Sequence, residues 1–260
     1  MDQKITNELH LANKRRWDAS AQRWSACTDS RGIWKRCHED PTLVFSEKVL
    51  ARLQGVGGKR VCVLGSGDNQ AVFALAGMGA QLTSVDISAK QLGFAMERAK
   101  VLGLEIDFVQ ADVTNLSELK DDSFDLIYTG GHVAVWVAEL KKYYNEAVRI
   151  LAPGGIFIVD EYHPFRRVWG ESETELVVKN NYYKRGPYKY LLGDDVLYQS
   201  KGIYASFEFH WTIADFMNAV IQAGCQILEV DEHGTYVGDW ENAPMQGLPE
   251  NLLIVGQKLS

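Results

Sequence analysis

The sequence lacks any run of about 20 apolar residues, so none of its segments is long enough and apolar enough to predict a membrane-spanning helix. Its first residues, "MDQKITNELHLANKRRW", also lack the apolar core that signal peptides carry. From these two absences we expect a soluble, cytoplasmic protein that has no membrane partner.

The chain has few cysteines, and its basic residues are fewer than its acidic residues. The chain has four cysteines and no C-x-x-C pair, and "CHE" at Cys37 to Glu39 has no matching ligand pair, so we expect reduced thiols and no metal. It has 27 Lys and Arg against 34 Asp and Glu, which gives a net charge of −7. Because nucleic-acid binding depends on basic residues that neutralise phosphates, we expect a small-molecule substrate and no nucleic-acid partner.

A glycine-rich loop in "VCVLGSGDNQ" lacks the third glycine of the common nucleotide-binding patterns. Gly65 and Gly67 are present, but a G-x-G-x-x-G loop would place its third glycine at Gln70, and a methyltransferase loop would place it at Asn69. Asparagine is the residue that best tolerates a left-handed backbone after glycine, so the turn is still feasible. By itself the loop also fits an ordinary strand-to-helix turn.

Short β-branched runs alternate with helical patterns from residue 61 onward. This order predicts βαβ units, and therefore an α/β fold with a doubly wound, mostly parallel sheet. We expect one domain of 260 residues with four parts. These are an N-terminal helical cover (1–55), a cofactor-binding core (56–165), an inserted antiparallel aromatic-rich ribbon (166–211), and a C-terminal helix with antiparallel strands (212–260).

Two acids stand at the ends of successive predicted strands. Asp86 ends the strand in "TSVDIS", 21 positions after Gly65, and Asp112 follows the strand in "VQADV". A carboxylate at the first position can accept both hydroxyls of a ribose, and a polar group at the second can reach an adenine edge. Each acid alone fits a solvated loop, but together they favour an adenosine-containing ligand, which leaves nicotinamide cofactors and S-adenosylmethionine as candidates.

Several motifs decide between these two cofactors. "VLGSGDNQ", "SVDIS", "QADVTNL", "DDSFDLIYT" and "RILAPGGIFIVDEYHPF" stand in the order and at the distances of the motifs of class I S-adenosylmethionine-dependent methyltransferases, which the chain therefore resembles. The resemblance is to the small-molecule, type 11-like branch. It implies a Rossmann-like methyltransferase fold with seven strands and S-adenosyl-L-methionine as the cofactor.

The resemblance also implies the cofactor-binding residues. The glycine loop would follow the methionine portion, Asp86 and Ile87 would hold ribose and adenine, and an aromatic residue of the N-terminal helix would cover the cofactor. Val63 stands where the family commonly has an acid, so Asp68 becomes a candidate partner for the methionine ammonium. The complete predicted set is Trp17, Trp24, Gly65, Ser66, Gly67, Asp68, Asn69, Asp86, Ile87, Asp112, Val113, Thr129 and Gly130.

Three histidines lie near the predicted mouth of the site. His163 in "DEYHPF" leads as a candidate catalytic base, followed by His132 in "TGGHV" and His210 in "FEFHW", although each also fits a structural role. The inserted ribbon is rich in aromatic side chains, which predicts an aromatic-lined cavity for a flat or cationic molecule. These residues are Tyr182, Tyr183, Tyr188, Tyr190, Tyr198, Tyr204, Phe207, Phe209 and Trp211.

Our interpretation is an enzyme that transfers a methyl group from S-adenosylmethionine to an O, N or C nucleophile of a small, flat or aromatic molecule. Alignment and exclusion of water would supply most of the catalysis. Two alternatives stay open: an NAD(P)-dependent oxidoreductase with a Rossmann-type fold, and a non-catalytic module that binds the cofactor without turnover.

Overall fold

The computed structural model describes residues 2–67, 70–192, 203–235 and 243–260, which include six α-helices and nine β-strands. The helices are α1 Gln3–Arg31, α2 Glu47–Arg52, α3 Gln70–Gly77, α4 Ala89–Leu102, α5 Leu140–Ile150 and α6 Ile213–Gln222. The strands are β1 Arg60–Leu64, β2 Gln81–Asp86, β3 Ile106–Gln110, β4 Phe124–Gly131, β5 Leu151–Tyr162, β6 Tyr188–Leu192, β7 Tyr204–Glu208, β8 Cys225–Thr235 and β9 Pro249–Lys258.

Seven strands form one sheet in the order β3-β2-β1-β4-β5-β9-β8. Neighbouring strands from β3 to β5 are parallel, whereas β9 runs antiparallel to both β5 and β8. The prediction of a doubly wound, mostly parallel seven-stranded sheet is confirmed. The chain reverses its direction of winding between β1 and β4, and open parallel sheets bind ligands at the carboxyl ends of such strands.

Apolar side chains cover both faces of the sheet, as a parallel sheet requires. On one face α5 and α6 pack with the sheet around the fully buried Tyr143 and Tyr144. On the other face α3 and α4 pack around Phe73, and Val61 and Val63 of β1 point into that core. Val63 is 1% exposed, so the position where the family commonly has an acid is occupied by a core side chain.

Helix α5 ends at Ile150, and β5 begins at Leu151. Proline disfavours helical backbone in the residue before it, so Pro153 is compatible with this end. The predicted antiparallel ribbon is present: among the described residues of 166–211, β6 pairs with β7, and an isolated bridge joins Trp169 and Val178. Tyr198 lies outside the described residues.

Helix α1, with 29 residues, lies over the sheet and buries a polar face. Its buried residues include Thr6, His10, Asn13, Arg16 and Ser20, which recur at the spacing of one helical face. Such a face can be buried only where hydrogen bonds satisfy it. No helix in the described part of the chain is both long and apolar enough to cross a membrane.

Asn13 joins three parts of the chain through one side chain. Its amide nitrogen donates to the carbonyl oxygens of Trp136 at 3.0 Å and Phe207 at 2.9 Å, and its amide oxygen accepts from the Phe207 backbone N–H at 2.7 Å. The first contact reaches the segment after β4, and the other two reach β7. Asn13 is 3% exposed, so α1 is held on the molecule by buried hydrogen bonds as well as by packing.

We expect Asn13→Ala to lower the free energy of unfolding by about 3 kcal/mol or more, because three partly buried backbone groups lose their partner and each costs about 1–3 kcal/mol when unsatisfied. Urea unfolding followed by circular dichroism measures this change. Asn7→Ala is the matched control, since Asn7 lies exposed on the same helix, where its side-chain oxygen accepts a hydrogen bond from Gln3. Equal stability of the two variants would contradict the role of Asn13.

Candidate active site

A cavity of about 480 Å³ opens at the carboxyl ends of β1 to β5, beneath helix α1. Its volume lies in the range of small-molecule sites, which is about 300–1,000 Å³. The sheet contributes the loops that follow its parallel strands, and α1 contributes one wall. The predicted residues that line this cavity are Trp17, Trp24, Gly65, Ser66, Gly67, Asp86, Ile87, Asp112, Val113 and Gly130.

The glycine loop after β1 forms the floor of this cavity. Gly65 and Gly67 have φ angles of 67° and 50°, which are left-handed conformations that favour glycine. A Cβ atom at Gly65 would lie 2.4 Å from a methyl carbon of Val133, so no larger residue fits there without displacing that side chain. The Ser66 hydroxyl is 2.6 Å from that of Ser84 and is therefore engaged in the sheet. Asp68 and Asn69 lie outside the described residues.

Asp86 lies at the end of β2 with its carboxylate held by two backbone groups. The Gly67 N–H donates to Oδ2 at 2.9 Å and the Ser88 N–H donates to Oδ1 at 2.7 Å. Each carboxylate oxygen has more than one lone pair, so both can accept a further hydrogen bond from a ligand. Ser88 is the N-cap of α4, since its hydroxyl accepts from the Gln91 N–H.

Asp112 is oriented by a histidine of α1. Its Oδ2 is 2.6 Å from Nδ1 of His10, and its Oδ1 accepts from the backbone and the hydroxyl of Thr114. The Ala138 N–H donates to Nε2 of His10, so the neutral ring carries its proton on Nδ1 and donates it to Asp112. Burial raises the pKa of Asp112, but the His10 and Thr114 hydrogen bonds outweigh it, and the net pKa is lowered.

Other predicted residues divide between the cavity and the core. Ile87, Val113 and Gly130 line the cavity. Thr129 is fully buried and its hydroxyl accepts from Tyr143 at 2.6 Å, so its side chain faces the core. A Cβ at Gly130 would lie 2.5 Å from the Tyr128 hydroxyl, which accounts for glycine at this position.

The α1 wall of the cavity is aromatic. Trp17 contacts Trp24 and Trp136 edge-on, with ring centroids 6.1 and 5.4 Å apart. The guanidinium carbon of Arg16 lies 4.2 Å from the Trp17 ring centroid and 5.3 Å from that of Trp136. Both predicted tryptophans, Trp17 and Trp24, therefore lie at the cavity instead of inside a helical core.

Three residues that border or shape the site were not predicted from the sequence. His10 and Asn13 share a face with Trp17 at helical spacing, which is the signal in the sequence that indicates them. Gln91 lines the cavity beside Gly67, and its side-chain oxygen is buried without a hydrogen-bond partner among the described residues.

A second, smaller cavity of about 30 Å³ adjoins the first, which is room for a small polar group or one to two waters. His132 and Tyr162 line both cavities, so the two meet at the ends of β4 and β5. Phe209 and Trp211 of the predicted aromatic set line the small cavity. All three candidate bases, His132, His163 and His210, line it as well.

His163 uses both ring nitrogens in hydrogen bonds. Its Nδ1 accepts from the Phe165 N–H at 3.2 Å, and its Nε2 lies 2.7 Å from Oε1 of Glu232. A neutral ring with this pattern donates from Nε2 and has no lone pair left. Burial lowers the pKa of His163 although Glu232 acts in the opposite direction. Its assignment as the base stays a prediction, and the geometry favours a positioning role.

His132 faces positive charge. Its Nε2 accepts from the guanidinium of Arg167, which occupies that lone pair. Burial lowers the pKa of His132 well below its usual range, and Arg167, Arg166 and Arg16 lower it further. The ring is therefore neutral at physiological pH, and it packs against Trp136 and Tyr162 at centroid distances of 5.8 and 5.1 Å.

His210 is the only one of the three candidate histidines with a buried ring nitrogen that has no hydrogen-bond partner among the described residues, namely Nδ1. Its Nε2 lies 3.5 Å from Oε2 of Glu208. Burial raises the pKa of Glu208, but His210 and Arg167 outweigh it and the net pKa is lowered, so Glu208 is a carboxylate that accepts from Nε2. The Tyr188 ring stacks on His210 at 4.1 Å and fixes its plane.

Glu161, at the end of β5, holds the segment that separates the two cavities. Its Oε2 and Oε1 accept the backbone N–H groups of Val133 and Ala134, each at 3.1 Å. Glu161 is 2% exposed, and burial raises its pKa to about 7 in spite of these hydrogen bonds. A fraction of the folded molecules is therefore protonated at this carboxyl near neutral pH.

We expect the stability of the protein to fall between about pH 5 and about pH 8 relative to that of Glu161→Gln. Folding raises the pKa of Glu161 to about 7, so the protonated carboxyl stabilises the folded state. This stabilisation is fully present below the pKa of Glu161 in the unfolded chain, and it is lost as the pH rises through about 7. The difference amounts to at most about 3 kcal/mol. Urea unfolding of both proteins across this range measures it, and parallel pH profiles would contradict the raised pKa.

Residues 62–159 match the family model described as a methyltransferase domain. This range begins in β1 and ends in β5, so it includes the glycine loop, Asp86, Asp112 and the segment after β4.

Curated relatives match over the same part of the chain. A ubiquinone biosynthesis O-methyltransferase of Nitrosococcus oceani is 31% identical over 112 residues, which is 43% of this chain and 45% of the relative. A ubiquinone/menaquinone biosynthesis C-methyltransferase of Brucella canis is 34% identical over 114 residues, 43% of this chain and 38% of that protein. The chain thus spans less than half the length of these relatives.

Solved structures extend the similarity over more of the chain. An S-adenosylmethionine-dependent methyltransferase from Mesorhizobium loti is 26% identical with a TM-score of 0.61, covering 81% of this chain and 96% of the other. A second, from Clostridium acetobutylicum, is 15% identical with a TM-score of 0.61 and shares the fold over 90% of this chain and 100% of the other. Residues 62–159 thus match a methyltransferase domain, and most of the chain has the fold of S-adenosylmethionine-dependent methyltransferases.

Proposed function

We propose that this protein transfers a methyl group from S-adenosylmethionine to a small, flat or aromatic organic molecule. The observation that supports the proposal best is the pair of adjoining cavities. The large one has two anchored carboxylates under an aromatic cover, and the small one is lined by His210, whose Nδ1 has no hydrogen-bond partner among the described residues. The relatives that act in quinone biosynthesis are consistent with an aromatic acceptor but do not identify it.

The residues of the large cavity fit the cofactor. Gly65 and Gly67 leave a backbone cradle that a Cβ atom would close or strain. Asp86 would receive the ribose hydroxyls, and Asp112 would accept from the adenine amino group. The buried oxygen of Gln91, which has no partner among the described residues, supplies another acceptor beside Asp86. When bound, S-adenosylmethionine supplies an electrophilic methyl group on a positively charged sulfur.

The small cavity would receive only the reacting polar group of the acceptor, because its volume of about 30 Å³ has no room for the whole molecule. It meets the large cavity at His132 and Tyr162, next to the Gly130 end where the methionine portion is expected. His210 is the proposed base because Glu208 orients its Nε2 and leaves Nδ1 able to take a proton. Tryptophan and phenylalanine side chains exclude water from both cavities and hold the reactants together, which lowers the entropic part of the barrier.

We expect Asp86→Ala to weaken binding of S-adenosylmethionine by about tenfold or more, since hydrogen bonds to a charged group contribute about 1.5–3 kcal/mol. Isothermal titration calorimetry measures this affinity, with NAD as the ligand that should not bind. Asp107→Ala is the matched control because it removes an exposed acid from the neighbouring strand β3. Unchanged affinity in Asp86→Ala would reject the assignment of this residue.

We expect His210→Phe to lower the rate of methyl transfer by about 10²–10⁴-fold, the usual contribution of a positioned base, while cofactor affinity stays the same. Release of S-adenosylhomocysteine over a panel of phenols, enols, amines and carboxylic acids measures the rate. His163→Phe is the comparison, and its loss of rate should be smaller. A larger loss in His163→Phe would return the role of base to His163, and no turnover of any acceptor would favour a non-catalytic module.

A further inference from the structure

Helix α1 is connected to both carboxylates, Asp86 and Asp112, that the structure describes in the lining of the large cavity. One connection is direct, from His10 to Asp112, and the other passes from Asp18 through Ser88 to Asp86. His10 and Asp18 are eight positions apart, which is about 12 Å along the axis of the helix. The helix therefore reaches the loops after β2 and β3 at two separate points.

His10 determines which oxygen of Asp112 is left to accept from a ligand. Oδ1 of Asp112 already accepts two hydrogen bonds, from the backbone N–H and the hydroxyl of Thr114, each at 2.8 Å. Oδ2 accepts from Nδ1 of His10 at 2.6 Å, which leaves it a second lone pair. The His10 ring is 4% exposed, and the Ala138 N–H donates to its Nε2 at 2.9 Å. The ring is thus held at both nitrogens, and it fixes the plane of the carboxylate.

Asp18 acts on Asp86 through the residue that caps α4. The Ser88 hydroxyl donates to Oδ1 of Asp18 at 2.6 Å and accepts from the Gln91 N–H at 3.2 Å, while the Ser88 N–H donates to Oδ1 of Asp86 at 2.7 Å. Burial raises the pKa of Asp18, but the hydrogen bonds from Ser88 and Lys14 outweigh it and the net pKa is lowered, so Asp18 is a carboxylate. Because Ser88 is fully buried, a displacement of its hydroxyl also displaces the N–H that holds Asp86.

We propose that His10 and Asp18 are positioning residues, and that through them helix α1 sets the selectivity of the large cavity for adenosine. His10 fixes Oδ2 of Asp112 as the acceptor for the adenine amino group, and Asp18 fixes Asp86 as the acceptor for the ribose hydroxyls. An α1 that is not docked leaves neither acid oriented. The inference rests on the proposed function, in which Asp86 and Asp112 have these two ligand groups.

The selectivity can be measured without turnover, by calorimetric titration with S-adenosylhomocysteine and two analogues. S-Inosylhomocysteine has an oxygen in place of the adenine amino group, and the 2′,3′-dideoxy analogue of S-adenosylhomocysteine lacks the ribose hydroxyls. We expect the wild-type protein to bind each analogue more weakly by about tenfold or more, because each loses a hydrogen bond to a charged group. Unfolded molecules lower the stoichiometry of binding but do not change the ratio of two dissociation constants.

Variants of α1 should change one preference each. His10→Phe should lower the preference for adenine over hypoxanthine by about tenfold and keep the preference for the ribose hydroxyls, and Asp18→Ala should do the reverse. His10→Asn keeps an N–H donor near the position of Nδ1, and Asp18→Asn keeps an oxygen that accepts from Ser88, so both should preserve the two preferences. Glu8→Ala is the matched control for Asp18→Ala, because it removes an exposed acid from the same helix.

Two results would overturn the proposal and leave the cofactor assignment intact. One is that both preferences stay unchanged in His10→Phe and in Asp18→Ala. The other is that both preferences fall together in either variant, which would indicate that α1 is only loosened. Equal binding of the analogues by the wild-type protein would overturn it too, by removing the roles of Asp86 and Asp112. Absence of S-adenosylhomocysteine binding by the wild-type protein would instead reject the proposed function.

Discussion

The backbone of the segment between β4 and α5, residues 132–139, is the element on which both cavities depend. Its N–H and carbonyl groups bond to side chains and backbone from α1, β5 and the residues after β7. Glu161 accepts two of its N–H groups, and the Asn13 amide and the Trp211 indole donate to its carbonyls. A short loop with its polar groups satisfied in this way keeps one conformation, and its side chains then form the partition between the cofactor and the acceptor.

Helix α1 presents a polar face to this segment, and its side chains form hydrogen bonds with the segment's backbone. A helix that covered the sheet with apolar side chains would seal the carboxyl ends of the strands, whereas His10 and Asn13 reach across to Asp112, Trp136 and Phe207 and leave an open volume beneath the tryptophans. The cost of burying His10 and Asn13 is offset because both side chains have hydrogen-bond partners. The cover is therefore attached at particular points, and the space between those points is the large cavity.

The sequence was sufficient to predict the sheet, the glycine loop and the acids Asp86 and Asp112, because those depend on local patterns: buried runs, turns and the ends of strands. The contacts of His10 with Asp112 and of Asn13 with Phe207 join residues 102 and 194 positions apart, and no local pattern indicates which residue meets which. Alternating aromatics do not show where strand pairing stops, and the hydrophobic pattern alone does not show that α5 ends at Ile150, before Pro153.

The three histidines show why proximity to a site is insufficient to assign a role. They line one small cavity, and in sequence each follows or ends a predicted strand. Their chemistry differs because of their partners: His163 is saturated by a backbone N–H and Glu232, and His132 accepts from Arg167. His210 is held by a carboxylate on one nitrogen and has no partner on the other among the described residues. A base needs an unused lone pair, and among the described residues that condition favours His210, which the sequence ranked after His163.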